Sequence, residues 1–316
     1  MALTEWQLTQ HHEQPKDSGD FHMTKLTVVI AILLCGFCIH VSARTIDDPI
    51  TEIPFSFEKG YVIVQAKILG QMPVEMVLAT GAEHSTFDGS LIQKYKLSFG
   101  YTWDDPKRCN VADCTYTFAN VPNIILGDLK TTSLTMRLGS LQNIEKRIGR
   151  QVFGMLGADF FKGRVAQFDF DRKLVKFLPK LGTDSATSSK DRIILRMGFY
   201  DEYTTLPIAE EVTFDGKRIK TVLDTGTAQV VSLSPAATKQ LGQTLPQEKS
   251  APRAGKVTTL HLGDYELTEV PVLFYGKGMG FDRDSKEFGA IAGTGLLQNF
   301  ITTFDFRNKV IIMEHL

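Results

Sequence analysis

The sequence predicts an all-β fold of two similar lobes with short helices, and three observations carry that prediction. Three sequence blocks recur in the same order, most of each copy reads as short alternating or β-branched runs, and a polar, small-residue stretch parts the copies. The first block, Val77-Leu78-Ala79-Thr80-Gly81-Ala82, returns as Val222-Leu223-Asp224-Thr225-Gly226-Thr227 at an offset of 145 residues. Leu126-Gly127-Asp128 returns as Leu262-Gly263-Asp264 at an offset of 136. Met155-Leu156-Gly157 through Phe168-Asp169-Phe170 returns as Ile291-Ala292-Gly293 through Phe304-Asp305-Phe306, again at 136. The chain is a tandem duplication, and its copies are expected to relate by a pseudo-twofold axis.

Within the copies, residues 61–66, 73–78, 173–178, 219–223 and 309–313 form short strand-like runs punctuated by Gly, Asp and Asn. One helix per copy is expected. In the second copy Ser234-Pro235, residues 236–241 and Gly242 supply an N-cap, a first-turn proline and a terminating glycine, and residues 90–97 hold the matching place in the first. This divides the chain into lobe one at 50–180, a linker at 181–191 and lobe two at 192–316. The change of offset places nine extra residues of copy one between its first two blocks. That segment carries Tyr101, Trp103, Cys109, Cys114 and Tyr116.

Composition bounds the rest. The chain has 316 residues, 43% hydrophobic and 22% charged, with a formal net charge of −1, so it is globular and lacks the basic footprint of a nucleic-acid binder. Residues 1–22 read as a polar leader. From Met23 the chain reads as an export signal: Lys25, a mostly apolar run over 26–39, then Val41-Ser42-Ala43 before Arg44. An uncleaved signal-anchor and a true start at Met23 are the competing readings. Either way the protein is expected outside the cytoplasm, released or held at the envelope. Cys35 and Cys38 fall inside this segment. Cys109 and Cys114 are therefore expected to close a hairpin loop as a disulfide, against two free thiols or a metal pair.

An apolar strand running into Asp-Thr-Gly places a carboxylate at a strand-to-turn junction, where glycine permits a tight turn and threonine can hydrogen-bond across to a related loop. Alone it is an ordinary turn; duplicated, with the Leu-Gly and Phe-Asp-Phe blocks at fixed distances, it is specific. The whole set, over roughly residues 53–316, resembles the aspartic peptidase family, in its bilobal pepsin-like form or as two fused retropepsin-like units. The resemblance implies that the turns at Ala79-Thr80-Gly81 and Asp224-Thr225-Gly226-Thr227 meet at the lobe interface beneath a cleft for an extended polypeptide. It implies support of the second turn from behind by Ile291-Ala292-Gly293. The segment around 98–118 becomes a flap, with Tyr101, Trp103 or Tyr116 reaching toward the cleft.

At the decisive position the sequence departs from that family, whose chemistry uses two carboxylates sharing a proton around a water. Lobe one offers Ala79 in place of one of them. Asp224 alone should turn over poorly or not at all, whether Ala79 is an exchange made in an active peptidase or belongs to a natural pseudopeptidase. Glu83 and His84 are expected at the edge of the turn, facing solvent or ligand backbone. His261 reads as a structural histidine in a strand, and residues 276–280 as a loop lacking the helix of a phosphate site. With no metal-ligand spacing or nucleophile elbow, neither a metal nor a cofactor is expected. The covalently attached lobe already occupies the face of Asp224, so a monomer is expected.

Overall fold

In lobe one, Tyr61–Ile68 lies between two antiparallel neighbours, the end of Thr51–Glu58 and Met72–Leu78. A computed structural model of the protein describes residues 50–69, 72–91, 99–104, 115–181, 192–198, 206–247, 251–278, 281 and 287–316. Met72–Leu78 pairs in parallel with Gly154–Leu156, and the short strand Thr86–Asp88 joins Gly154–Leu156 to Leu129–Gly139. Leu129–Gly139 then pairs with Thr115–Leu126. Lobe two repeats the plan: Thr221–Leu223 runs parallel to Ala290–Ala292, and Val231–Leu233 connects that strand to the Arg253–Leu262/Tyr265–Phe274 hairpin.

A third sheet belongs to both lobes. Its antiparallel order runs from the start of Thr51–Glu58 through Leu174–Leu178, Val165–Asp169, Phe300–Asp305 and Val310–His315 to Arg192–Gly198. The two central strands pair antiparallel in a register that is symmetric about Gln167 and Thr303. Thr302 faces Phe168 and Phe304 faces Ala166, while the repeat-related Gln167 and Thr303 face each other, joined by a side-chain hydrogen bond of 3.0 Å. Phe168 and its repeat mate Phe304 meet edge to face at 5.8 Å. Burying such rings contributes about 1.5–3 kcal/mol each, and one continuous core runs through both lobes.

The expected strands are present with small shifts at their starts. Those expected at 173 and 309 begin one residue later, because Lys173 and Lys309 occupy repeat-related left-handed turns with φ of 54° and 58°. The expected lobe-two helix is Pro235–Gln240, with Ser234 Oγ accepting from Ala237 N–H. Helical residues are more numerous than one segment per copy. Gln142–Ile148 ends at Gly149 in the left-handed region, and single turns Ala158–Phe161 and Thr294–Leu297 follow Gly157 and Gly293. One-turn helices carry too little periodicity to be read from sequence.

The extra residues of copy one supply the strand Phe99–Asp104, which pairs antiparallel with the start of Thr115–Leu126. In its register Trp103 lies opposite Tyr116 and Tyr101 opposite Phe118. Cys109 and Cys114 of the expected disulfide, the segments expected to be a leader and an export signal, linker residues 182–191 and residues 92–97 of the expected lobe-one helix lie outside the described residues.

Candidate functional site

The two repeated turns meet. Each follows a strand held in parallel pairing by the hydrophobic-hydrophobic-Gly element of its own lobe: Ala79 N–H donates to Leu156 O and Asp224 N–H to Ala292 O, both at 2.9 Å. Gly157 and Gly293 are required by close backbone approach. A Cβ there would lie 2.6 Å from Ala82 O and 2.2 Å from Thr227 O respectively.

Across the axis the turns are locked by four reciprocal hydrogen bonds. The Thr80 hydroxyl donates to Leu223 O at 2.9 Å and accepts from Thr225 N–H at 3.1 Å. The Thr225 hydroxyl donates to Leu78 O at 2.8 Å and accepts from Thr80 N–H at 3.1 Å. Both threonines are fully buried, so each bond stands in for water that the backbone has lost. The exchange is symmetric; the residues before the threonines are not.

Asp224 is 9% exposed and its carboxylate receives three donors. Oδ1 accepts from Gly226 N–H of its own turn at 2.8 Å and from Gly81 N–H of the opposite turn at 2.9 Å. Oδ2 accepts from the Thr227 hydroxyl at 2.6 Å. A Cβ on Gly81 would sit 2.5 Å from Asp224 Cβ, and a Cβ on Gly226 would sit 2.4 Å from Ala79 Cβ. Ala79 therefore holds, against Gly226, the place that Asp224 holds against Gly81. Ala82, the counterpart of Thr227, also carries no hydroxyl. Lobe one has kept the framework of the turn and lacks the polar atoms.

The remaining sequence candidates lie nearby or elsewhere. Glu83 faces His84 at 3.7 Å, and the His84 ring packs edge-on against Phe118 at 5.5 Å, so the pair is partly buried against the root of the extra hairpin of lobe one. Glu83 is no partner of Asp224. His261 pairs with Glu266 at 3.0 Å on the lobe-two hairpin, a structural setting. A cavity of about 900 Å³ bordered by Arg192, Glu211, Arg218 and Asp264 contains no residue of either turn. Among the described residues no cluster of His, Cys, Asp and Glu is arranged to hold a metal ion.

Sequence reasoning missed one supporting pair. Ser85 donates from its N–H at 2.9 Å and from its hydroxyl at 2.5 Å to the half-buried Asp159, and its oxygen accepts from Gly157 N–H. Burial pushes the Asp159 carboxyl above its ordinary range, against the pull of the Ser85 bonds and of nearby His84. The repeat mates are Val230 and Gly295, so the pair exists only in lobe one. That asymmetry between aligned copies was the available signal.

A search of solved structures finds the crystal structure of an aspartic proteinase from Irpex lacteus, with a TM-score of 0.51 at 11% identity, covering 84% of this chain and 97% of the other. At that identity the likeness is one of fold: the scaffold is pepsin-like. No protein-family model and no curated protein sequence matches the chain.

Proposed function

We propose that this chain is an aspartic-endopeptidase scaffold that receives extended polypeptides between its two turns and hydrolyses them poorly or not at all. The observation that carries this reading is the placement of Ala79 against Gly226, mirroring Asp224 against Gly81. Two carboxylates there would share a proton, one taking a proton from the attacking water while the other donates to the peptide carbonyl. A single carboxylate can orient a water, but nothing opposite it acts as the acid. General acid–base assistance supplies roughly 10²–10⁴ in rate, so its loss reduces turnover on that scale or beyond. The flap hairpin would cover the bound chain, with Tyr101, Trp103 and Tyr116 as its aromatic contacts. The same reading has the protein exported and monomeric.

A natural, non-cleaving peptide binder is the second reading, and the Gly81–Asp224 hydrogen bond favours it. The donor that an aspartate at position 79 would use has already found a partner, so the one-carboxylate site leaves no buried N–H unpaired.

Reversion separates the two. Ala79→Asp should restore acid-favoured cleavage of an unfolded protein substrate, blocked by a transition-state mimic of aspartic peptidases and abolished by adding Asp224→Ala. A revertant that binds peptides and still cannot cut them establishes the binding module. Useful turnover by the unaltered chain would overturn this account of Ala79.

A further inference from the structure

We propose that the axis between the turns selects a cation: the preferred ligand is an extended peptide or peptide mimic that carries an amine where it crosses Asp224. This rests on the peptide-binding reading above and assigns the ligand chemistry of the same site.

Asp224 is 9% exposed, and its three donors, Gly81 N–H, Gly226 N–H and the Thr227 hydroxyl, are all neutral. Among the described residues no Lys, Arg or His forms an ion pair with it. The nearest charged residues of the opposite turn, Glu83 and His84, face each other. Neutral donors orient a carboxylate and lower its cost of burial, but they bring no counter-charge. In low-dielectric surroundings a counter-charge supplied by the ligand is worth more than in water.

The methyl group of Ala79 sharpens the selection. Where two carboxyl groups share a proton, a ligand hydroxyl can donate to one and accept from the other, so a neutral alcohol is fully satisfied. Here the opposite wall offers a methyl that neither donates nor accepts. An alcohol would donate to Asp224 and leave its own lone pairs without a partner, a penalty for a buried polar atom. A secondary ammonium likewise turns one N–H toward that methyl, but unlike the hydroxyl it brings the counter-charge that Asp224 lacks, and it needs no acid opposite. One aspartate facing one alanine therefore ranks amine above alcohol at this point.

The experiment uses the full chain and three mixed-sequence hexapeptide pools that differ only in the central linkage: amide, hydroxyethylene (a neutral alcohol) and reduced amide (a protonated amine). Equilibrium binding near neutral pH should retain the amine pool about tenfold or more tightly than either of the others. Asp224→Asn should erase the preference, with a thermal melt reporting that the variant is folded. Ala79→Asp, which supplies the missing partner, should bring the alcohol pool up toward the amine and so tests the idea even if Asp224→Asn fails to fold. Alcohol binding equal to amine in the unaltered chain, or a preference that survives Asp224→Asn, would overturn the inference. Amide binding without an amine preference removes only this inference. No binding of any pool removes the peptide-binding reading and this one with it.

Discussion

The backbone N–H of Gly81, in the lobe-one turn, donates to Oδ1 of Asp224 in the lobe-two turn at 2.9 Å. Gly226 donates to the same oxygen at 2.8 Å, so glycines from both halves of the duplication converge on one carboxylate. The symmetric framework serves an asymmetric centre. An aspartate at position 79 would compete for the Gly81 donor, and the reversion that tests function also redistributes these hydrogen bonds.

The reciprocal threonines should be equivalent in stability terms despite their different neighbours. Thr80→Val and Thr225→Val each remove a buried hydroxyl that donates to one backbone carbonyl and accepts from one N–H. Each is expected to cost about 1–3 kcal/mol in urea unfolding, and the double variant less than the sum because both act on one network. Additive costs would show that the four bonds do not work as a unit.

The close approach of Gly226 to Ala79 predicts a compensating pair. Gly226→Ala places a new Cβ 2.4 Å from Ala79 Cβ and should destabilise by about 1–3 kcal/mol, as overpacking does. Adding Ala79→Gly removes the atom it strikes and should recover part of that loss. The backbone Cα of residue 79, at 3.1 Å, and Asp224 Oδ1, at 3.2 Å, limit the recovery. A double-mutant cycle by chemical denaturation measures it, and a zero coupling energy would contradict the contact.

Asp159 predicts a pH dependence with a definite sign. Its carboxyl holds a proton more tightly when folded than when unfolded, because burial outweighs the Ser85 bonds. Stability from this group is present at low pH and is lost as pH rises from the ordinary aspartate range, near ~3.9, through the raised folded value. Asp159→Asn should remove that component, so the stability difference between variant and parent should shift in the variant's favour on going from acid to neutral pH. Glu58 and Glu211, held low by hydrogen bonds from Arg150 and Arg196, act in the opposite direction, but both are solvent-screened and common to the two proteins. A parallel pair of stability–pH curves would refute the assignment.

The shared sheet predicts that the lobes do not unfold separately. Phe168 and Phe304 pack on one another from the two copies, within strands that pair directly. Phe168→Ala should cost about 3–5 kcal/mol and lower a single calorimetric transition. Two resolved transitions, only one of them shifted, would show independent lobes.

Sequence alone determined the duplication, the all-β character and the identity of both turns, because repeated blocks and strand periodicity are local signals that survive without knowledge of packing. It also located the extra hairpin of lobe one, since a change of offset is a count. It could not supply Ser85 with Asp159, residues 74 positions apart whose partnership depends on the fold bringing Gly157 behind the turn. Nor could it show that Gly81 turns its donor across the axis once Ala79 offers no acceptor. That choice belongs to tertiary structure, because a buried N–H must find a partner and only the approach of the second lobe brings one within reach. The letters Ala79 and Asp224 state which polar atoms exist; the distance between the turns decides which of them meet.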